Sequence, residues 1–326
     1  MSSESIFITG ATGFLGSTLS RALLKRGHRV VASGRRPDRL KVLQDGGADI
    51  LQYDLSRQLT PALPECGYMV HCAALSAPWG RKSAFEQANI DGTRGAIALA
   101  RAMGVHRLVH ISTPSVYFRF ADQDRVREDA ALPKPVNAYA QSKRVAEALI
   151  CAAPDLSPII LRPRGLYGRG DVALLPRLLQ TAAQRPLPFM RDGAAATDLT
   201  HVDDVVSAVM AALEAPGRLS GQVFNISGGA ALPVTDVVNA ACAHVGIQAR
   251  WRSLPFRLVK TYAQLSESLS RIQPSAPEPP ITAYGVGLFA FRQTLDISNA
   301  QTHLGWRPAI GFEEGLERTF GDGASC

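Results

Sequence analysis

Tyr139-Ala140-Gln141-Ser142-Lys143 places a tyrosine and a lysine four residues apart in a helix-like stretch, hence on one helix face. A free phenol titrates near ~10 and is a poor base at neutral pH. A neighbouring ammonium stabilises the phenolate and lowers that value. The pair can therefore give or take a proton at a substrate oxygen. A third group belongs upstream, at the end of a strand-like run. The segment Ile111-Ser112-Thr113-Pro114-Ser115-Val116-Tyr117 offers three hydroxyls that could orient a carbonyl or an alcohol. Local chemistry does not choose among Ser112, Thr113 and Ser115.

The chemistry opposite that proton is suggested near the N-terminus. Gly10-Ala11-Thr12-Gly13-Phe14-Leu15-Gly16 lies between an apolar run and a helix-like segment. Gly10 permits the tight turn, Gly13 lets backbone N–H groups approach a pyrophosphate, and Gly16 allows close helix–strand packing. The following helix N-terminus faces the phosphates with its partial positive charge. This is a dinucleotide turn, spaced GxxGxxG. Lys143 can then also hydrogen-bond a nicotinamide ribose, and Tyr139 can move the proton while the nicotinamide moves a hydride. Asp54 follows a later strand and suits the adenine amino group. Ala73 and Ala74 are small enough for a cofactor to lie against the backbone.

The second strand ends in Ser33-Gly34-Arg35-Arg36. An acid there would accept from the ribose 2′-hydroxyl, whereas arginine accommodates a 2′-phosphate. Gly34 stands where the acid is expected. Two guanidiniums and a hydroxyl suit a phosphate, which favours NADP over NAD.

These residues need a scaffold that alternates strands and helices. Strands are expected at 6–10, 29–33, 48–55, 68–74, 107–113 and 158–163. Helices fit 15–27, 83–103 and 138–152; the first has Leu15, Leu19, Ala22 and Leu23 on one stripe and Gly27 as a C-cap. Strands separated by helices make a parallel sheet covered on both faces. The second half reads as helices near 171–184, 202–214, 234–245 and 256–270, with short strands near 222–226 and 250–254. Residues 271–281 hold four prolines and read as a loop. No internal repeat or long linker is apparent.

The 326 residues are 46% hydrophobic and 19% charged, as in globular proteins. The net charge of +7 comes from dispersed residues rather than a basic stripe interleaved with aromatics, which argues against nucleic acid. No apolar run approaches ~18 residues, so no membrane span is expected. MSSESIFITG lacks a basic region followed by a long apolar stretch, so it does not read as a secretory signal. Cys66, Cys72, Cys151, Cys242 and Cys326 are scattered, with no CxxC pair. They read as reduced, buried thiols in the cytoplasm, with Cys326 exposed at the end. No metal site is expected.

Taken together, the motifs resemble the extended short-chain dehydrogenase/reductase family, within the NAD-dependent epimerase/dehydratase superfamily. GATGFLG (10–16), NIDGT (89–93), STPSVY (112–117), YAQSK (139–143), LRPRGLYGRGD (161–171) and HVDDV (201–205) occur in the family's order and spacing. The resemblance implies that Thr113, four residues before Tyr117, is the catalytic hydroxyl beside Tyr139 and Lys143. It implies adenine-side and ribose-side contacts at Asp54 and Ala73–Ala74, and a structural Asn89 near the cofactor pocket. The candidate cofactor contacts are Gly10, Thr12, Gly13, Phe14, Leu15, Gly16, Ser33, Arg35, Arg36, Asp54, Leu55, Ala73, Ala74, Tyr139, Lys143 and Pro163. The candidate substrate contacts are Trp79, Ser115, Tyr117 and Arg164.

Two departures matter. Sugar-nucleotide members carry an asparagine where Gly165 stands and tend to carry an arginine where Thr197 stands. By contrast, APWG (77–80), STPSV (112–116) and TLDISNAQTHLGWRP (294–308) look similar to the 3β-hydroxysteroid dehydrogenase-like branch, including reductases of β-keto acids. The implied fold is α/β: a doubly wound parallel (Rossmann) sheet over 1–165 and a smaller α/β substrate lobe over 166–326, with segments returning to the core. The expected function is hydride transfer between nicotinamide and a ketone or secondary alcohol on a largely apolar small-molecule substrate. The rivals are a nucleotide-sugar epimerase or dehydratase, and a non-catalytic NADP-sensing regulator; retention of both Tyr139 and Lys143 argues against the latter. Family members are often dimers through a helix pair, so a homodimer is an expectation by analogy.

Overall fold

The structure is a computed structural model, which describes residues 4–56, 63–273 and 275–321. Its strands are β1 (Ile6–Thr9), β2 (Val30–Gly34), β3 (Asp49–Gln52), β4 (Tyr68–His71), β5 (Arg107–Ile111), β6 (Gln123–Val126), β7 (Ile159–Pro163), β8 (Leu166–Tyr167), β9 (Leu187–Phe189), β10 (Ala196–Thr197), β11 (Thr200–His201), β12 (Val223–Ile226), β13 (Leu232–Pro233), β14 (Trp251–Ser253) and β15 (Gln293–Leu295). Its α-helices are α1 (Phe14–Lys25), α2 (Pro37–Asp45), α3 (Lys82–Phe85), α4 (Gly92–Ala102), α5 (Ala138–Cys151), α6 (Leu175–Gln184), α7 (Val202–Glu214), α8 (Val234–His244), α9 (Phe256–Ile272), α10 (Ala283–Leu288) and α11 (Phe312–Phe320).

Seven strands form one sheet in the order β12-β7-β5-β4-β1-β2-β3, and every pairing in it is parallel. Continuous apolar runs build it because both faces are covered: β1 is buried along its whole length. On one face α1, α2 and α7 contribute Leu19, Leu23, Leu40, Val205 and Val209 to the core. On the other, α4 and α5 contribute Ala96, Leu99, Ala100 and Ile150. The strand order reverses between β1 and β4. Such a switch point opens a crevice at the carboxyl ends of the strands, where doubly wound folds bind ligands.

The chain beyond residue 165 does not stay apart from the sheet. β12 is its edge strand, paired with β7 from Val223↔Ile160 to Ile226↔Pro163. A second sheet, β13-β10-β15-β6, is shared between residues 123–126 and the C-terminal part.

One helix was not read from the sequence, and two sequence expectations are corrected. Helix α2 separates β2 from β3, with Pro37 in its first turn and Leu40 and Leu43 buried; it is short and mostly polar, which hides its period. The helix expected at 83–103 is interrupted by a π-helical turn over Glu86–Asp91 between α3 and α4. Such turns recur at functional sites, and this one carries Asn89. The helix expected from 171 begins at Leu175, because the Asp171 carboxylate accepts from the backbone N–H groups of Ala173, Leu174 and Leu175. Cys66 and Cys242 are buried free thiols, but Cys151 is exposed; Cys326 lies outside the described residues. Among the described residues no helix is long and apolar enough to cross a membrane, and no cluster of side chains could hold a metal ion.

Candidate active site

The glycine turn meets β4 at the switch point. Gly10 has φ +66°, and a Cβ there would sit 2.7 Å from the Ala73 backbone. A Cβ on Gly16 would sit 2.3 Å from the Gly10 carbonyl oxygen. Both positions therefore exclude any side chain. Helix α1 starts at Phe14 with no side-chain cap on Gly13 and no acid in its first turn, so its leading N–H groups, at Phe14, Leu15 and Gly16, face the crevice free to meet an anion. This cradle fits a dinucleotide pyrophosphate.

Ser33 is buried in β2, and its carbonyl accepts from the Ala11 N–H at 2.9 Å. Thr12 packs against Gly34: a Cβ on Gly34 would lie 2.8 Å from Thr12 Oγ1 and Cγ2. Arg35 is exposed. Arg36 is exposed as well and paired with Asp38 at 2.9 Å. Arg39, which the sequence reading missed, donates to the Thr12 carbonyl at 3.1 Å. It therefore places a third guanidinium over the turn. Asp54 Oδ1 accepts from the Ser56 N–H and hydroxyl at 3.0 and 2.8 Å, and the neighbouring Leu55 is buried. Ala73 N–H donates to Thr9 Oγ1 at 3.2 Å, Ala74 is exposed, and Pro163 ends β7 beside Ile226.

Asn89 ties this crevice to helix α5. Its Oδ1 accepts from Leu75 N–H at 2.6 Å, and its Nδ2 donates to Leu75 O and to Ser142 Oγ at 3.2 and 2.8 Å. The loop after β4 is thus fixed to the helix that carries Tyr139 and Lys143.

The side chains of Thr113 and Ser76 lie beside the Tyr139 hydroxyl and favour its ionised form. Two of the three candidate hydroxyls stay together: Thr113 lies beside Tyr139, and its Oγ1 donates to Ser115 Oγ at 3.1 Å. Ser112 turns away and donates to Glu147 Oε1 at 2.5 Å. Ser115 Oγ lies 2.9 Å from the hydroxyl of Tyr284 on α10. Ser76 and Tyr284 escaped the sequence reading because no local motif marks them.

Lys143 shares the helix face of Tyr139 but reaches elsewhere. Its Nζ donates to Ile111 O at 2.7 Å and lies 3.1 Å from His110 Nε2. Burial pushes Lys143 down to about 8, against the opposing pull of Glu147 and Cys72. Tyr139 moves the other way. Burial raises the phenol, the side chains of Ser76 and Thr113 oppose it, and Tyr284 adds to the rise. The expected lowering by an adjacent ammonium is therefore not what this arrangement delivers: the ammonium is spent on a carbonyl and an imidazole beneath the phenol.

Of the candidate substrate contacts, Ser115 joins the Tyr139 cluster. Trp79 extends from the same loop as Ser76, and its Nε1 donates to Ala276 O at 3.0 Å. Tyr117 belongs to a buried network instead: its hydroxyl donates to Asn225 Oδ1 at 2.9 Å and accepts from Arg162. Arg164 is buried, paired with Asp198 at 3.0 Å and donating to Thr197 Oγ1 at 3.1 Å. Aromatic packing backs Tyr284: its ring and that of buried Phe118 lie 4.8 Å apart edge-on, and Phe118 and Phe120 lie 5.2 Å apart.

The model of the NAD dependent epimerase/dehydratase family matches residues 6–227, which span the turn, the crevice and the Tyr139 cluster. The chain belongs to that family. Its members' chemistry makes this protein an NAD-dependent enzyme of the extended short-chain dehydrogenase/reductase type. It is 34% identical to the 2-alkyl-3-oxoalkanoate reductase of Stenotrophomonas maltophilia, over 96% of this chain and 97% of the relative. It is 27% identical to the decarboxylating sterol-4-alpha-carboxylate 3-dehydrogenase of Mus musculus, over 96% and 86%. Among solved structures, UDP-glucuronic acid 4-epimerase from Bacillus cereus in complex with NAD superposes with a TM-score of 0.74 at 25% identity, over 97% of both chains.

Proposed function

We propose that this family member is an NADP-preferring ketone reductase acting on a largely apolar substrate, steroid-like or β-keto acid-like. The observation that carries the reading is the Tyr139 phenol with Thr113 and Ser76 beside it, in a cluster that runs from Thr113 through Ser115 to the ring of Tyr284. Burial keeps the phenol protonated at neutral pH, which suits donating a proton to a carbonyl oxygen. The Thr113 hydroxyl is placed to steady that oxygen as charge develops on it. When bound, the nicotinamide supplies the hydride. Gly10, Gly13, Gly16 and the start of α1 would hold its pyrophosphate, and Arg35, Arg36 and Arg39 offer guanidiniums to a 2′-phosphate.

The sugar-nucleotide reading loses support at two places. Gly165, at φ +54°, has no side chain to offer a diphosphate where sugar-nucleotide members carry an asparagine. The nearby cation, Arg164, is already neutralised by Asp198 and is not free for a diphosphate. The two relatives are named for a 2-alkyl-3-oxoalkanoate and a sterol carboxylate, which agrees with an apolar substrate. The test is a panel of steroids, β-keto acids and sugar nucleotides, with each nicotinamide cofactor, followed at the nicotinamide absorbance. Turnover confined to sugar nucleotides would overturn the proposal.

A further inference from the structure

Three hydroxyls stand in a row beside the phenol of Tyr139. Thr113 Oγ1 donates to Ser115 Oγ at 3.1 Å, and Ser115 Oγ lies 2.9 Å from the hydroxyl of Tyr284. Thr113 and Ser115 are buried and Tyr284 is half-buried. The first two belong to one turn after β5, whereas Tyr284 stands on α10, 169 residues beyond Ser115. Its placement is held from three sides. The Thr282 side chain caps α10 by accepting from Gly285 N–H at 3.1 Å, and the Glu267 carboxylate on α9 accepts from Ala283 N–H at 2.8 Å. Gly287 lets α10 lie against Phe118, since a Cβ there would sit 2.5 Å from the ring. Phe118 N–H in turn donates to Ser115 O at 3.2 Å. One residue therefore packs Tyr284 and closes the turn that carries Ser115.

A hydroxyl has one hydrogen and two lone pairs, so such a row can run in either direction. In one direction Thr113 spends its hydrogen on Ser115. In the other, Tyr284 donates to Ser115, Ser115 donates to Thr113, and the Thr113 hydrogen is left for a substrate oxygen. Thr113 Oγ1 already accepts from Ser115 N–H at 3.2 Å. A second bond, from the Ser115 hydroxyl, fills its lone pairs and leaves it a donor only. Tyr284 favours this direction, because a phenol is a stronger acid than an alcohol and hence the better donor. Negative charge growing on the substrate oxygen favours it too, since each hydrogen bond in a chain polarises the next.

We propose that Tyr284 is a positioning residue, which through Ser115 turns the Thr113 hydroxyl hydrogen onto the substrate oxygen. The C-terminal part of the chain thereby completes a group carried at the end of β5. The inference rests on the reading of Thr113 as the hydroxyl that steadies that oxygen, and not on which substrate carries it.

A double-mutant cycle tests it, with whichever substrate of the panel turns over and with saturating cofactor. Tyr284→Phe keeps the ring against Phe118 and removes one hydroxyl, so the melting curve is unchanged. The variant loses about fivefold to tenfold in kcat, the worth of one hydrogen bond, with KM unmoved. In a Thr113→Val or a Ser115→Ala background the same change costs nothing further, because the chain is already cut. A merely structural role, or direct contact with the substrate, would give the same loss in every background. That result, a loss confined to KM, or parent turnover in Tyr284→Phe would overturn the proposal. Parent turnover in Thr113→Val would instead remove the catalytic reading of Thr113, and this inference with it.

Discussion

Lys143 Nζ lies 3.1 Å from His110 Nε2, beneath the helix turn that presents Tyr139. His110 is buried in β5, and among the described residues its Nδ1 has no hydrogen-bond partner. The other groups facing the ammonium are His71, Cys72 and Glu147. Burial pushes His71 down to about 3 and His110 well below its ordinary value, so both stay neutral. Glu147 is paired with Arg162. Lys143, held at about 8, is thus the group that titrates near neutrality. It is charged below that value and neutral above it. We expect kcat/KM to fall as pH rises through about 8. In His110→Leu the ammonium loses an acceptor, so the fall moves to lower pH. Lys143→Met should weaken cofactor binding and remove most turnover together. A parent profile flat through pH 8, or an unmoved fall in His110→Leu, would exclude this coupling.

Tyr139→Phe removes one hydroxyl and should lower turnover by about 10²–10⁴-fold while cofactor binding persists. Thr113→Val should cost about 10²–10³-fold, and Thr113→Ser should restore much of it. Steady-state kinetics with the best substrate of the panel checks both. Turnover within a factor of about two of the parent for Tyr139→Phe would remove the phenol from its role.

Ser112 separates stability from chemistry. Its hydroxyl belongs to a buried set in which Arg162 meets Glu147 through Nη2–Oε2 at 2.6 Å and Nε–Oε1 at 2.8 Å. Glu147→Gln leaves a buried guanidinium without its counter-charge and should destabilise the fold by about 3–5 kcal/mol. Ser112→Ala removes one partner of the carboxylate and should cost about 1–3 kcal/mol, with kcat unchanged at permissive temperature. Urea unfolding and kinetics on the same samples check the split; a kcat loss like that of Thr113→Val would mean that Ser112 also reaches the substrate.

What the sequence made legible was local. The glycine turn, the four-residue step from Tyr139 to Lys143 and the alternation of strand and helix are short-range patterns, and each has one cheap backbone solution. Residues brought in from a distance were not legible. Ser76, Tyr284 and Arg39 reach the site across the fold, and nothing in their neighbours' spacing marks them. The π-turn at Glu86–Asp91 was hidden because one extra residue barely disturbs a helical period. Helical spacing puts Lys143 on the face of Tyr139 but does not show what its ammonium contacts. Sharing a face fixes where a side chain starts, and the competing acceptors, here Ile111 O and His110, decide where it ends.

The cofactor preference is open to the sharpest test. Arg35 stands exposed at the end of β2, Arg36 is held only by a surface pair with Asp38, and Arg39 leans over the turn at Thr12. Surface pairs are worth little, up to about 1 kcal/mol, so Arg36 is readily released to a phosphate. A hydrogen bond to a charged group contributes about 1.5–3 kcal/mol, so one good contact gives NADP roughly a tenfold advantage or more. Gly34→Asp with Arg35→Ser should reverse the ratio, by adding an acceptor for a free 2′-hydroxyl and a charge that repels phosphate. The structure adds a condition. A Cβ at Gly34 lies 2.8 Å from two atoms of Thr12, so the aspartate needs the threonine side chain to rotate. Adding Thr12→Ser, which deletes the crowding methyl, should sharpen the switch. Dissociation constants for NAD and NADP on the parent, double and triple variants decide the matter. Equal affinities in the parent, or a ratio that none of the variants moves, would mean that the arginines are only solvated and that the enzyme uses NAD or either cofactor.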